Sequence, residues 1–300
     1  MPNLLSIITV NFNGLSNTIE LIDSIKKNIL TIDYEIIVVD NGSKDDESIP
    51  LKKAYPWVKA IRLNDNLGFA GGNNVGIKSA SGEYIFLLNN DTVIVDDTLK
   101  FLINRLKEDK HLGAISPKIL FHAPPQRVQF AGYTSLKKIT LRNNIIGYNK
   151  DDAPEYNIAR KTPFAHGAAM MLTREVIEQV GLMAELYFLY YEELDWSEMI
   201  TRKGYYIQFD PRCKIYHKES SSTGVGSPLI CYYMTRNRLI YVLRNRTGLS
   251  KLIAVLYQLV FINPYKIAMD LFAGRTTRAY ARLKGVIDFC RGKYGRQWGN

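Results

Sequence analysis

The sequence has few cysteines, and they lack the spacings that cysteine-based sites require. Its three cysteines are Cys213, Cys231 and Cys290, and no Cys-x-x-Cys pair is present. An odd number of widely separated thiols argues against a disulfide framework and against a structural zinc site. We therefore expect reduced cysteines with packing roles, in a cytoplasmic protein.

Two further signals are absent. No basic stretch with a cleavable apolar segment precedes the first apolar run, so we expect no export signal. The GxGxxG fingerprint is missing after that run, which argues against an NAD- or FAD-binding Rossmann domain. A composition with 46% hydrophobic and 23% charged residues is that of a globular protein. The 300 residues suffice for one large α/β domain with a small appendage, or for two modest domains.

Acidic residues are scarce in one part of the chain only. From residue 231 to the end there are thirteen Lys and Arg residues but only two acidic ones, Asp270 and Asp288, whereas the preceding part is almost neutral. A basic tail on a neutral body indicates an anionic partner or a solvated helical surface.

Apolar runs rich in β-branched residues alternate with segments of helical periodicity. We predict buried strands at 5–10, 35–40, 58–63, 84–88 and 114–119. We predict one helix with Asn17 as its N-terminal cap, and three further helices at 45–55, 96–109 and 173–180. This alternation predicts an α/β fold with a doubly wound, mostly parallel sheet. Residues 121–160 show no regular pattern, 205–209 and 213–216 are typical of two short strands, and Ser220–Gly224 is typical of a loop.

The strand predicted at 84–88 ends abruptly on Asn89, Asn90 and Asp91. Ligands of open α/β sheets bind at the carboxyl ends of strands. Asp91 is therefore a candidate ligand for Mg²⁺, which prefers carboxylates and phosphate oxygens; the alternative is an Asx turn. His217 would be a second metal ligand if it reached the same crevice, although a lone histidine after a strand is more often a surface or hydrogen-bonded residue.

A second polar cluster places Glu192, Glu193 and Asp195 at the start of a predicted helix, directly after a run of aromatic residues. Carboxylates in a first turn stabilise the helix dipole, which is one explanation for them. The aromatic residues suggest another, because a carboxylate beside aromatic rings can have a raised pKa and act as a general base toward a hydroxyl.

The turn at 64–76 is rich in glycine and precedes a predicted helix. Gly68, Gly71 and Gly72 could bring backbone N–H groups to phosphate or sugar oxygens. They could equally supply the positive φ angles that a loop requires.

Together these residues resemble the family 2 inverting glycosyltransferases of the GT-A fold, especially the bacterial enzymes that use dTDP-rhamnose or related donors. The resemblance covers residues 4–224 and extends more loosely through Tyr232–Arg238. It implies a metal site at Asp91 and His217 and a catalytic acidic motif at Glu192, Glu193 and Asp195. It also implies that the nucleotide and donor sugar contact Thr9, Asn11, Phe12, Asp40, Gly68, Gly71, Gly72, Asn73, Asn74, Asn89 and Asn90.

Two positions depart from the family pattern. Asn89 replaces the first acidic residue of the metal-binding motif, and Glu193 stands where the family usually has an aspartate base. We favour Glu193 as the base, with Glu192 as the alternative and Asp195 orienting the site. The resemblance implies a single displacement with inversion at the anomeric carbon, in which Mg²⁺ or Mn²⁺ stabilises the departing nucleotide.

The implied partners are a dTDP- or UDP-sugar donor and a saccharide or lipid-linked saccharide acceptor, in cell-surface polysaccharide assembly. Two other functions stay open. Asn89 and Glu193 are compatible with a non-catalytic GT-A-like binding or scaffold protein. A sugar-phosphate nucleotidylyltransferase would need a glycine-rich basic signature after the first strand, and Asn11–Gly14 lacks it.

We divide the chain into a GT-A domain, residues 1–230, and a basic helical extension, residues 231–300. In the extension, the apolar segment Lys251–Ile262 ends near Pro264 and is too short for a bilayer, which needs about 20 residues. The basic and aromatic residues after it fit an anionic membrane, nucleic acid or a solvated helix pair. We favour attachment through residues 249–300 to the inner face of the cell membrane, expect no nucleic acid, and leave a homodimer open.

Overall fold

The structure is a computed structural model that describes residues 4–218 and 226–298. The loop predicted at Ser220–Gly224 lies outside these residues. The strands are β1 (Leu5–Asn11), β2 (Tyr34–Asp40), β3 (Lys59–Arg62), β4 (Tyr84–Leu88), β5 (Thr92–Ile94), β6 (Leu112–Phe121), β7 (Val128–Phe130), β8 (Arg160–Thr162), β9 (Ala169–Thr173) and β10 (Tyr206–His217).

The helices are α1 (Leu15–Asn28), α2 (Ser48–Ala54), α3 (Gly68–Ser79), α4 (Leu99–Glu108), α5 (Arg174–Val180), α6 (Glu192–Arg202), α7 (Pro228–Asn245), α8 (Gly248–Leu256), α9 (Asn263–Phe272) and α10 (Thr276–Cys290). A 3₁₀ turn spans Pro154–Tyr156, and a π-helical turn spans Tyr257–Ile262 between α8 and α9.

The strands form one mixed sheet in the order β3-β2-β1-β4-β9-β6-β10-β5, with β7 beside β6 and β8 beside β10. Parallel pairs join β1 to β2 and β4, β2 to β3, and β6 to β10. Strand β9 runs antiparallel between β4 and β6. The mostly parallel sheet confirms the predicted fold class. It also brings the carboxyl ends of β1, β2 and β4 to one edge.

Helices cover both faces of this sheet because successive side chains of a strand point to opposite sides. On β1, Ile7 packs into an apolar cluster with α1, α2 and α4, whereas Ile8 packs into a cluster with α3, α5 and α6. The doubly wound arrangement is thus confirmed.

Helix α3 lies unusually close to β1. A Cβ atom at Gly76 would lie 2.3 Å from Ile8 Cγ2, and one at Gly72 would lie 2.9 Å from Val10 Cγ1. Side-chain atoms do not approach one another so closely, so glycine is required where the helix backbone meets the strand.

Several boundaries differ from the predictions. The segments predicted as two short strands form one strand, β10, with an irregular register between Asp210 and Lys214. Helix α1 begins at Leu15, so Asn17 lies inside it and does not cap it. The region predicted to be irregular contains β7. Three residues are too few to show alternation, so β7 is defined by its pairing with β6.

The apolar segment of the extension is longer than predicted. Helix α8, the π-helical turn and α9 form a single run, Gly248–Phe272, of 25 residues. Pro264 does not end it, because it lies in the first turn of α9, where a missing N–H is tolerated. By length and composition the run could cross a membrane, which makes the prediction of a too-short segment wrong. Only 17% of its most apolar window is buried.

This long helix buries polar residues and exposes apolar ones. Gln258, Asn263 and Asp270 are buried against the protein. Gln258 and Asn263 are five positions apart, which is the hydrogen-bond spacing of a π-helical turn, so the turn keeps both on that face. The exposed apolar stripe consists of Leu252, Leu256, Val260, Tyr265, Met269 and Phe272. An ordinary surface helix has the reverse arrangement.

Residues beyond 230 share their apolar packing with the preceding chain. Tyr187 and Tyr191 pack in one cluster with Tyr241, and Phe188 packs in another with Tyr233. Helix α7 therefore supports the segment before α6, and the division at residue 230 stays a prediction.

Candidate active site

The polar residues at the ends of β1, β2 and β4 are neighbours, as parallel pairing requires. Asn11 is paired in register with Asp40. From the end of β4, Asn90 Nδ2 donates to Thr18 Oγ1 at 3.1 Å and to Asn11 Oδ1 at 3.4 Å. Asn90 therefore holds the β4 loop against the β1 loop and leaves Asn89 and Asp91 on either side of this contact.

Asp91 and His217 are in direct contact although they are far apart in sequence. His217 Nε2 lies 2.9 Å from Asp91 Oδ1, and His217 Nδ1 lies 2.8 Å from Gln129 Oε1. The contact exists because β10 pairs antiparallel with β5, which sets His217 opposite Thr92. Both side chains are mostly buried, with 12% of Asp91 and 8% of His217 exposed.

This pair has the chemistry of a divalent-cation site. Neighbouring ligand atoms of an octahedral Mg²⁺ site are about 3 Å apart, which is close to the separation of Nε2 and Oδ1. Gln129 engages the second imidazole nitrogen, as the outer-shell partner of a metal-bound histidine does. Within residues 4–218 and 226–298 no three His, Cys, Asp or Glu residues are grouped for metal binding. The pair thus fits a cation held jointly with substrate phosphates.

A pocket of about 250 Å³ adjoins the pair. Its wall combines His217 and Asn89 with Glu192 and Glu193. The remaining lining residues are Phe69, Tyr133, His166, Gly167, Ala168, Leu189 and Tyr190. One predicted metal ligand and both predicted bases therefore face the same cavity.

Both glutamates have raised pKa values. Burial raises the pKa of Glu193 to about 7, against the opposing effect of backbone N–H groups at the start of α6. Burial, and then the neighbouring Glu193, raise the pKa of Glu192 well above its ordinary value. Glu192 is 1% exposed, and its Oε1 has no hydrogen-bond partner among the described residues. Of the two, Glu193 has the pKa that suits a group accepting a proton near neutral pH.

The glutamates follow a strained segment, residues 187–191, which we name the aromatic loop. Three of its residues have φ between 68° and 80°, the left-handed region that bulky side chains avoid. Asn237 Nδ2 donates to three carbonyl oxygens of the loop at 2.7 to 3.0 Å. Arg236 Nη2 donates to the carbonyl of Tyr187 at 2.8 Å. Helix α7 thus holds the loop that positions both glutamates.

Asp195 faces helix α7 and does not line the pocket. Its carboxylate accepts from Arg244 Nη2 at 3.0 Å, from Asn245 Nδ2 at 2.5 Å and from the Tyr187 hydroxyl at 3.0 Å. Asp195 is fully buried. Any influence on the reaction must therefore pass through the position of α6.

The residues predicted to contact the nucleotide base are differently exposed. Thr9 and Asp40 are fully buried, whereas Phe12 is 46% exposed and its ring is accessible for stacking. Asp40 Oδ2 accepts from Arg62 Nη1 at 2.6 Å, and its Oδ1 accepts from the Ser43 N–H at 3.2 Å. The Ser43 hydroxyl and the Glu47 N–H also donate to this carboxylate, and its predicted contact with a pyrimidine stays a prediction.

The glycine-rich turn has packing roles in this structure. Gly68 has φ +75° and lies against the Phe188 carbonyl, where a Cβ would approach the oxygen to 2.1 Å. Gly71 and Gly72 are buried within α3. Of the three glycines, Gly68 has the positive φ that was one explanation for the glycine-rich turn. Contact of these glycines with the donor stays a prediction.

The two asparagines of α3 are also buried. Asn73 Nδ2 donates to the Phe69 carbonyl at 2.9 Å. Asn74 Nδ2 donates to the Met183 carbonyl at 2.9 Å and to Glu185 Oε1 at 2.8 Å. Asn74 thereby ties α3 to the segment that leads into the aromatic loop.

Sequence reasoning missed three residues of the site: Gln129, Tyr133 and His166. The rings of Tyr133 and His166 are stacked, with centroids 6.2 Å apart and planes at 11°. Burial, and then His217, lower the pKa of His166 to about 3, so this imidazole is neutral. No local pattern marks these residues. Arg236 and Asn237 did have a signal, because an Arg-Asn pair inside a mostly apolar helix needs buried partners.

The chain is similar in sequence to known proteins. The sequence model of the family described as glycosyl transferase family 2 matches residues 6–181. The low-salt glycan biosynthesis hexosyltransferase Agl10 of Haloferax volcanii is 27% identical over 245 residues, which are 79% of this chain and 74% of that protein.

Two solved structures have a similar fold. The structure of GalNAc-T7 with UDP, GalNAc and Mn²⁺ has a TM-score of 0.61 at 15% identity. The similar part makes up 91% of this chain and 59% of the GalNAc-T7 chain. The mannosyltransferase PcManGT of Pyrobaculum calidifontis with GDP-Man and Mn²⁺ has a TM-score of 0.57 at 15% identity, over 96% of this chain and 87% of that one. Identities this low show a shared fold alone. The family model, in contrast, covers more than half of this chain, including the strand ends at Asn11, Asp40 and Asp91, and the protein therefore belongs to glycosyl transferase family 2.

Proposed function

We propose that this protein is an inverting glycosyltransferase of cell-surface polysaccharide assembly. It transfers a hexose, with rhamnose favoured, from a nucleoside-diphosphate donor to a saccharide or lipid-linked saccharide. The observation that carries this proposal is Glu193, whose pKa is raised to about 7 in the pocket that His217 also lines. A general base is most effective when its pKa lies near the working pH.

In the proposed reaction the Glu193 carboxylate takes the proton of an acceptor hydroxyl. The oxygen attacks the anomeric carbon from the face opposite the diphosphate, and the nucleoside diphosphate leaves with the bonding electrons, which inverts the configuration. A divalent cation held by Asp91 and His217 would neutralise negative charge on the departing diphosphate. The raised pKa of Glu192 favours its neutral form, which can donate a hydrogen bond to a substrate oxygen.

The relatives support a nucleotide-sugar donor. Agl10 is a hexosyltransferase, and the two similar structures contain UDP or GDP-Man together with Mn²⁺. The accessible ring of Phe12 offers a surface for stacking a base. The preference for dTDP-rhamnose over other donors rests on the motif resemblance.

A lipid-linked acceptor is supported by the C-terminal helices. The exposed apolar stripe on α8 and α9 is suited to the boundary between lipid headgroups and acyl chains, and the basic residues of the tail suit an anionic leaflet. An enzyme held at this surface meets its acceptor there.

Donor cleavage tests the proposal. Wild-type protein, Glu193→Gln and the exposed control Glu178→Gln are incubated with Mn²⁺ and a panel of dTDP-, UDP- and GDP-sugars, with candidate acceptors, and released nucleoside diphosphate is measured. We expect turnover with one nucleotide class, an acidic limb near pH 7, and a loss of about 10²-fold or more in Glu193→Gln only.

Two results would contradict the proposal in different ways. Unchanged turnover in Glu193→Gln would show that another group is the base. Donor binding by the wild type without turnover, for every acceptor, would favour the scaffold alternative.

A further inference from the structure

A second pocket, of about 190 Å³, lies among α7, α9 and α10. Three basic side chains from these three helices line it: Arg238, Lys266 and Arg282. Asn263 lines it as well, together with less polar residues of α7. Side chains of like charge repel one another, so their convergence on one cavity indicates an anionic ligand.

The protein supplies little negative charge in return. Asp270 accepts from Arg282 Nε at 2.7 Å, while Arg238 Nε donates to the neutral hydroxyl of Tyr191 at 2.7 Å. Among the described residues, Lys266 Nζ has no hydrogen-bond acceptor. One carboxylate therefore faces three cations.

An independent observation is a buried donor with no partner. Asn263 is 4% exposed, and its Nδ2 has no hydrogen-bond acceptor among the described residues. A buried amide N–H₂ group without an acceptor costs free energy, so such groups are normally satisfied by protein, water or ligand. An anion in the pocket would accept from it.

The electrostatics of Lys266 agree with this geometry. Burial, followed by the nearby guanidinium groups of Arg238, Arg282 and Arg142, lowers the pKa of Lys266 to about 8. A bound anion would offset this repulsion and stabilise the protonated amine.

The position of the pocket relates it to the proposed reaction. On one side, Lys266 and Asn263 belong to α9, which also exposes Tyr265 and Met269 of the apolar stripe. On the other side, Arg238 Nε donates a hydrogen bond to the Tyr191 hydroxyl, and Tyr191 directly precedes the glutamates of α6. The pocket thus lies between the surface proposed to face the membrane and the segment that positions the base.

We propose that this pocket binds a diphosphate group, and that the group belongs to the lipid-linked acceptor. Several oxygens of a diphosphate can be engaged at once by Arg238, Lys266, Arg282 and Asn263. The lipid chain would leave along the apolar stripe, and the saccharide would extend toward the aromatic loop. The inference rests on the proposed function only in assigning the diphosphate to an acceptor.

Inorganic pyrophosphate is the first probe, and its binding is measured by titration calorimetry. EDTA is present so that no divalent cation supports binding of pyrophosphate at Asp91. Lys266→Gln removes a cation that makes no hydrogen bond in the described part of the fold, and Lys251→Gln on α8 is the matched control. We expect one site whose Kd rises tenfold or more in Lys266→Gln and stays unchanged in Lys251→Gln. Equal Kd values for wild type and Lys266→Gln would overturn the proposal.

Vesicles then distinguish the source of the diphosphate. Phosphatidylcholine vesicles contain either a polyprenyl diphosphate or phosphatidylglycerol at equal total charge. If Lys266→Gln weakens co-sedimentation only with the diphosphate lipid, the lipid headgroup is the ligand. Equal co-sedimentation of wild type and variant overturns the lipid assignment, and the pocket is then a site for a soluble anion.

Donor cleavage separates this inference from the proposed function. A wild type that cleaves no donor, but binds pyrophosphate through Lys266, would refute the proposed function and leave the anion site standing.

Discussion

At the scale of residues, the candidate site contains two adjacent carboxyl groups whose pKa values are both raised. Both groups line the pocket, and burial raises the pKa of Glu193 to about 7. Burial and the neighbouring Glu193 raise the pKa of Glu192 well above its ordinary value. Burial has this effect because it disfavours the charged form of a carboxyl group.

Glu193→Gln should make the protein more stable than the wild type at alkaline pH. The folded-state pKa of Glu193, about 7, lies above the ordinary 4.5, so the folded protein binds a proton that the unfolded chain has released. The corresponding stability is fully present below about pH 4.5 and is lost as the pH rises through 7. Glutamine avoids this loss, which is on the order of 3 kcal/mol in the free energy of unfolding.

The measurement is denaturant unfolding of wild type and variant at pH 5 and pH 8, with Glu178→Gln as the exposed control. We expect the advantage of Glu193→Gln to grow between these two pH values and the control to follow the wild type. An advantage that is independent of pH would contradict the raised pKa of Glu193.

At the scale of elements, the aromatic loop requires helix α7. Its left-handed residues are unfavourable without support, and Asn237 and Arg236 supply that support through the loop carbonyls. Helix α6 is fixed to α7 a second time by Asp195 and Arg244. The glutamates proposed as catalytic are thus held by a helix beyond the segment that the family model matches.

Asn237→Ala should therefore damage both stability and activity. It removes three hydrogen bonds and takes this donor from the carbonyl groups of Leu189 and Tyr190, while Tyr187 keeps its bond from Arg236, so the free energy of unfolding should fall by about 2 to 4 kcal/mol. Misplacement of the glutamates should lower kcat by about tenfold or more, since small shifts of catalytic groups are costly.

Asn104→Ala is the matched control, because Asn104 is an exposed asparagine of α4. Its stability should stay within about 0.5 kcal/mol of the wild type. Wild-type turnover in a folded Asn237→Ala protein would show that α7 does not position the base.

At the scale of the whole molecule, charge and apolar surface are both concentrated in the C-terminal helices. The exposed apolar stripe lies on the same helical run that is long and apolar enough to cross a membrane. Its other face is polar and packs on the protein through Gln258, Asn263 and the Asp270–Arg282 ion pair. A helix with these two faces suits the surface of a bilayer better than its interior.

Flotation with anionic vesicles tests this arrangement on the full-length chain. We expect the wild type to float, less so at about 0.5 M NaCl because salt screens the basic residues. The double variant Leu252→Ser/Leu256→Ser should lose about tenfold or more of its binding, since it removes apolar area from the stripe.

Leu30→Ser/Ile49→Ser is the matched control, because both residues are exposed and lie outside the extension. It should float like the wild type. A wild type that stays with the unbound fraction at low salt would refute membrane attachment.

The sequence by itself determined the main parallel strands and the polar residues at their ends. Continuous apolar runs such as Tyr84–Leu88 are typical of buried strands, and the polar residues that follow them lie at the ends of those strands. These are local patterns, so they can be read without knowing which segments meet. The paired glutamates at the start of α6 were predicted in the same way.

Only the tertiary structure decided which distant residues meet and which way they face. Strand pairing brings His217 to Asp91, and helix packing turns Asp195 toward Arg244 and away from the pocket. The C-terminal helix also continues past Pro264, because a π-helical turn precedes this residue and places it in the first turn of α9, where a missing N–H is tolerated. Such contacts depend on the register and packing of segments remote in sequence, and no local pattern of residues encodes them.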